Sequence, residues 1–258
     1  MNTVVSVLLL IVSGSFYASS DRAIALYILE HLNDVNDLTA AGICDDVYVS
    51  SQAVKKFCRQ LGYRNFQEFR RFLSYTKEIR KGQMIAHFMN MSEESILTQI
   101  RSYVPDLDVE AFRQQVETIN RVIYEAERII ILGSVYPQML SLHYAEDMLM
   151  FNKTVWSEPI SQEIQTAPQE GTVILVISLT GRIYQFYPEF FMKCQKSGHP
   201  LITIGNAGTV PDFVHPAGSI FLPVGKDDET ENSMIPVIFQ YMKYRYGMVY
   251  GGCEYGNP

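Results

Sequence analysis

One change of rhythm constrains the fold of this chain more than any other feature. Up to about residue 127, apolar side chains recur at three- and four-residue steps, as with Ile24, Tyr27, Ile28 and Leu32 in DRAIALYILEHL. That spacing lays one face of a helix against a core. From Arg128 the pattern becomes short unbroken apolar runs: RIIILG, TVWS, GTVILVIS, PLITIG and SIFLPV. Helical stretches such as PQMLSLHYAEDMLMF, IYQFYPEFFMKCQKSG and MIPVIFQYMKYRYG alternate with them. A strand without polar alternation is buried on both faces, and strands alternating with helices build a parallel sheet covered on both sides. The expected fold is an all-α module followed by an α/β domain with a doubly wound, mostly parallel sheet. The expected boundaries are a helical module over residues 1–80, a helical connector over 81–120 and the α/β domain over 121–250. Pro105 breaks the connector, and Asp106 or Asp108 restarts it.

The charge is unevenly placed. The 258-residue chain carries a formal charge of −7, which argues against simple polyanion binding by the whole body. Yet Ser50 to Gly82 holds nine Lys or Arg against two acids, a local charge of +7. A basic segment in an acidic chain reads as a nucleic-acid footprint, or else as a solvated helix face.

The same segment has a helix–turn–helix layout. Thr39 can cap a helix through Asp45, and Ser50 or Ser51 can cap another through Gln60 with Val54, Phe57 and Leu61 on one face. Gly62 suits a left-handed stop, and NFQEFRRFL then gives a third helix with Phe66, Phe69, Phe72 and Leu73 inward. In such a motif the start of the second helix meets base edges in the major groove. Ser50, Ser51 and Gln52 are the candidate base readers, and Lys55, Lys56, Arg59 and Arg64 are the candidate phosphate contacts. An ordinary helical hairpin with a basic face is the plainer alternative.

In an open α/β sheet, ligands bind beyond the carboxyl ends of the strands. Those ends fall at Gly133-Ser134, at Ser178 to Arg182 and at Gly205-Asn206. Ser178, Thr180 and Gly181 form a hydroxyl-bearing turn into a helix, suited to an anion such as phosphate, and Arg182 can add charge. A purely structural turn has the same pattern. No cofactor is expected, because the chain has no GxGxxG, no Walker loop and no defensible Ser/His/Asp arrangement. No metal site is expected either. Cys44, Cys58, Cys194 and Cys253 form no CxxC pair and read as free thiols, while His143, Glu146 and Asp147 read as a solvent-facing helix turn. Val4 to Val12 is a nine-residue apolar run with no preceding Lys or Arg. It reads as a first core helix, with a signal-peptide core as the alternative; it is too short to span a bilayer, and the chain is expected in the cytoplasm.

The block VSSQAVKKFCRQLGYRNFQEFRRFL resembles the helix-turn-helix of RpiR-type (MurR/RpiR) bacterial transcriptional regulators. The features that carry the likeness are Ser50, Lys56-Phe57, Leu61-Gly62-Tyr63, and Phe66 with Phe69. Downstream, AERIIILGS, VILVISLTGR and SGHPLITIGNAG are similar to successive strands of a SIS (sugar isomerase) domain. The resemblance implies a homodimeric or homotetrameric regulator of carbohydrate metabolism that binds a double-stranded DNA operator. It also implies a phosphosugar effector bound at Gly133, Ser134, Ser178, Thr180, Gly181 and Arg182. The chain departs from the family pattern at Val135 and Pro137 in the first loop and at Ile183 in the second, where a glycine and two hydroxyls are usual. Tyr48 likewise stands in the turn where a glycine is common. The other function class is a phosphosugar isomerase-type SIS enzyme, with Glu158 or Glu163 as its base.

Overall fold

The structure, a computed structural model, describes residues 4–15, 17–159, 168–222 and 228–251. Seven helices lead the chain: α1 (Val4–Gly14), α2 (Ser20–Glu30), α3 (Ala40–Val47), α4 (Ser51–Gln60), α5 (Phe66–Met89), α6 (Glu93–Tyr103) and α7 (Val109–Glu125). Their boundaries follow local chemistry. Thr39, Ser50, Asn65, Ser92 and Asp108 each accept a backbone N–H from the first turn of the helix that follows, satisfying one of its orphan donors. Gly62 takes the left-handed conformation just after α4 (φ 89°). Phe66, Phe69 and Leu73 are buried or partly buried as expected, but Phe72 is exposed. The reason is that α5 buries the face carrying Phe69, Leu73, Thr76 and Lys77, and Phe72 falls off that stripe.

The α/β part follows: β1 (Arg128–Gly133), α8 (Val135–Met139), α9 (Leu142–Met150), β2 (Thr154–Pro159), β3 (Thr172–Ser178), α10 (Arg182–Phe186), α11 (Pro188–Lys196), β4 (Leu201–Asn206), β5 (Gly218–Leu222) and α12 (Asp228–Val249). The five strands are all parallel, in the order β2-β1-β3-β4-β5. This is the doubly wound sheet the unbroken apolar runs predict. Both faces of β3 are buried, and the faces divide cleanly. Ile174 and Val176 pack with Ile183, Tyr184, Phe190, Phe191 and Cys194 of α10 and α11, whereas Val173, Leu175 and Ile177 join the main core on the other side.

That main core runs without a break into the helical module. The hinge of the arrangement is α1, which packs against α2 and α5 on one side and against β2 and α9 on the other. Its Val5, Leu8, Leu9 and Val12 are fully buried, so the N-terminal apolar run is a core helix shared by both parts. The expected connector also packs closely. α7 lies on β5, where Ile119 occupies the space a Cβ on Gly218 would need, and α6 and α7 both pack on α12. Among the described residues no helix is long and apolar enough to cross a membrane.

Candidate nucleic-acid interface and effector site

α3 and α4 form the helix pair, with Val54, Phe57 and Cys58 anchoring α4 in the core and Ile43 anchoring α3. The opposite face of α4 is open. Ser51, Gln52, Lys55, Lys56 and Arg59 are all exposed on it, and Ser50 stands exposed at its start. The Ser50 hydroxyl oxygen accepts from the Ala53 N–H at 3.2 Å, which leaves its O–H available as a donor. Arg64 is exposed but engaged: its guanidinium donates to Glu68 at 3.1 Å, and its backbone N–H donates to the same carboxylate at 2.7 Å. These bonds hold the Glu68 carboxyl below the usual range and the Arg64 guanidinium above its own.

The structure sorts the basic segment by role, which charge counting alone does not do. Arg70 donates to the carbonyls of Asn36 and Leu38, both at 2.9 Å, and so ties down the approach to α3. Lys77 is buried and donates to the Leu32 carbonyl at 3.0 Å; burial lowers its pKa. Arg80 points into the α/β part. Lys55, Lys56 and Arg59 remain as exposed cations on α4 itself. A shallow cleft of about 450 Å³ beside them is lined by Thr39, Ser51, Lys55, Asn65 and Arg70 over an apolar floor of Leu38, Val54 and Phe66. An exposed helix face with hydroxyl and amide groups at its start and cations behind them can read base edges and neutralise phosphates.

This geometry agrees with a family model. Residues 10–78 match the model "Helix-turn-helix domain, rpiR family". The N-terminal part of the chain is an rpiR-family helix-turn-helix domain. The matched span ends inside α5, so the rpiR-family domain takes in the end of α1, all of α2, α3 and α4, and the first half of α5. No curated protein matches the chain. Among solved structures the chain is similar to the Vibrio vulnificus NanR protein complexed with ManNAc-6P, at 15% identity over 92% of this chain and 90% of that one, with a TM-score of 0.45. It is also similar to the sugar isomerase domain of an RpiR transcription factor from Sphaerobacter thermophilus, at 9% identity over 61% and 88% of the two chains, with a TM-score of 0.46. A third similar structure is a protein from Escherichia coli CFT073, at 13% identity over 65% and 89%, with a TM-score of 0.47.

The candidate effector residues converge at one place. In the order β2-β1-β3-β4-β5 the winding direction reverses between β1 and β3, the switch point beyond whose strand ends open α/β sheets bind ligands. Gly133 and Ser134 end β1 there; Ser178, Thr180, Gly181 and Arg182 follow at the end of β3. Backbones crowd closely, and an added Cβ on Gly205 would lie 1.9 Å from the Ser178 carbonyl oxygen. Gly181 is left-handed (φ 69°), and Thr209 presses where its Cβ would be. The loop is largely self-bonded. Ser178 Oγ accepts from the Gly181 N–H at 3.1 Å, and Thr180 Oγ1 accepts from Arg182 Nε at 3.1 Å. Ser134, Thr180 and Arg182 are exposed, whereas Gly133, Ser178 and Gly181 are buried.

Two further polar side chains meet at these strand ends: Asn206, expected at the end of a strand, and Glu231, which sequence reasoning missed. Asn206 donates to the Leu179 carbonyl at 2.9 Å and faces Glu231 of α12 at 3.3 Å. Glu231 is only 3% exposed. Of the acids considered as an isomerase base, Glu158 is held by Arg22 and by Trp156 Nε1, and Glu163 lies outside the described residues.

The expected solvent-facing turn holds for His143, which is exposed, and is corrected for Glu146 and Asp147. Glu146 and Asp147 are buried against cations from distant helices. Arg80 of α5 reaches Glu146 at 3.2 Å and Asp147 at 2.5 Å, and Lys243 of α12 reaches Asp147 at 2.5 Å. Ser6 of α1 donates to Glu146 at 2.5 Å. Burial lowers the Lys243 pKa, and the Asp147 carboxylate opposes that shift. No local pattern announces this cluster. Its contacts join residues 67, 96 and 140 positions apart, which only folding brings together. Among the described residues no group of three or more His, Cys, Asp or Glu side chains could hold a metal ion.

Proposed function

We propose that this chain is a cytoplasmic DNA-binding transcriptional regulator of carbohydrate metabolism. Its helix-turn-helix reads a double-stranded operator, and its α/β domain dimerises and senses a phosphosugar. The observation that carries the reading is the open face of α4, where Ser51, Gln52, Lys55, Lys56 and Arg59 are presented together within the rpiR-family domain. Ser50, Ser51 and Gln52 read bases; Lys55, Lys56 and Arg59 supply the phosphate attraction, with Arg64 shared between Glu68 and the backbone.

The phosphosugar sits at the β1/β3 switch point, against Gly133, Ser134, Ser178, Thr180, Gly181 and Arg182. Exposed Ser134, Thr180 and Arg182 are the groups able to turn toward it. An exposed apolar row on α5, in the helical part, offers a homodimer or homotetramer a contact surface besides the α/β domain. Phe72, Tyr75, Ile79 and Met89 stand out from the core, and exposed Gly82 and Ala86 continue the row at three- and four-residue steps.

A gel shift with the full-length chain on the region upstream of its own gene tests the proposal. It is run at two salt concentrations, with unrelated competitor DNA and with a panel of phosphosugars. A specific complex that one phosphosugar dissolves or strengthens is the expected result. A complex indifferent to every sugar would remove the effector assignment, and turnover of a phosphosugar by the same protein without DNA binding would replace the regulator with an isomerase.

A further inference from the structure

We propose that Tyr48 is a DNA-backbone contact of the turn between α3 and α4; the inference rests on the DNA-binding reading of α4. Tyr48 has φ 56° and ψ 42°, the left-handed conformation that crowds a Cβ against its own backbone. Glycine takes this conformation freely and asparagine at small cost. Among the described residues its one task in the fold is to end α3, where its neighbour Val49 donates its N–H to the Cys44 carbonyl at 3.2 Å. Any residue tolerant of that backbone does the same. The tyrosine side chain adds nothing to the fold: it is 93% exposed, more than any other large apolar or aromatic side chain described, and it enters no ring stack or side-chain hydrogen bond among the described residues. A strained backbone carrying an idle, solvated aromatic points to a partner outside the chain.

Its position names the partner. Tyr48 stands two residues before Ser50, the N-cap of α4. The start of that helix faces base edges, so the turn before it lies at the lip of the groove, over the sugar-phosphate chain. A phenol suits that place: its O–H donates to a phosphate oxygen, its ring covers the sugar, and it orders few torsions. It also supplies a neutral donor beside exposed Asp45 and Asp46, which disfavour close approach of the backbone elsewhere on α3.

The test uses the full-length chain and the duplex it selects from a random-sequence pool, with an unrelated duplex alongside. Binding is read by fluorescence anisotropy and folding by thermal melting. Tyr48→Asn should weaken both duplexes by about 3- to 10-fold, the value of one hydrogen bond. Its melting temperature should hold or rise, because asparagine accepts the left-handed turn. Tyr48→Phe should lose most of the same affinity. Affinity of Tyr48→Asn within twofold of the parent, while Lys55→Ala weakens binding, would overturn the inference and leave the DNA-binding reading standing. A fall in melting temperature with the loss of affinity would assign Tyr48 to the fold, and a loss confined to the selected duplex would overturn the backbone assignment. A parent chain that selects and binds no duplex would remove the DNA-binding reading and this inference with it.

Discussion

Arg80 of α5 donates to Asp147 of α9 at 2.5 Å, across the join between the helix-turn-helix part and the α/β part. The same carboxylate accepts from Lys243 at 2.5 Å, and Glu146 takes a second contact from Arg80. Two cations and two carboxylates close a nearly buried set. The long helix that begins in the DNA-binding motif is thereby fixed to the domain that carries the candidate effector loops, through charge as well as through the shared α1.

Removing one carboxylate should be costly. Asp147→Asn leaves Lys243 and part of Arg80 buried without their counter-charge, and about 3–5 kcal/mol of stability should be lost. Urea unfolding measures it. Pairing the change with Lys243→Met should recover part of the loss, because the uncompensated charge goes with it. An Asp147→Asn chain as stable as the parent would show that the set carries no weight.

The basic residues should divide in two by assay. Lys55→Ala and Arg59→Ala should each reduce the salt slope of DNA binding by about 1 and weaken all sequences alike. Their melting temperatures should not move, since both side chains are exposed. Arg70→Ala should instead lower stability by about 1–3 kcal/mol, because the carbonyls of Asn36 and Leu38 lose their donor. Gln52→Ala should change sequence preference more than unspecific affinity.

The strand ends should tolerate little bulk. In Gly205→Ala the new Cβ would stand 1.9 Å from the Ser178 carbonyl oxygen, so β3 and β4 must part. A loss above about 4 kcal/mol, or failure to fold, is expected from so direct a backbone clash. Gly208→Ala, with nothing within 4 Å of the added Cβ, is the matched control and should be close to neutral. Thr180→Ala lies between them: it should spare DNA binding and abolish the response to the phosphosugar.

The apolar row on α5 should matter only to assembly. Tyr75 is 61% exposed, so Tyr75→Asp should leave the fold intact. Sedimentation should show the parent as a dimer or tetramer and the variant shifted toward monomer. An unshifted variant would place the subunit contact elsewhere.

The sequence by itself determined the local architecture. Capping residues such as Thr39, Ser50 and Asp108, the left-handed stop at Gly62, and the switch from helical spacing to unbroken apolar runs each act over a few residues. A linear reading therefore recovers them, together with the parallel sheet and the exposed face of α4. Tertiary structure decided what long-range contact controls. It turned the run from Val4 to Val12 into a helix shared by both parts, because β2 and α9 offer the face opposite α2 and α5. It buried Glu146 and Asp147, acids that read as a solvent-facing turn, because each meets partners far away in the chain. It withdrew Arg70, Lys77 and Arg80 from the basic segment, leaving Lys55, Lys56 and Arg59 on the open face of α4. Charge counts add along the chain, whereas burial and pairing depend on which side chains folding brings within reach, and that distinction separates the contacts proposed for DNA from the cations that hold the molecule together.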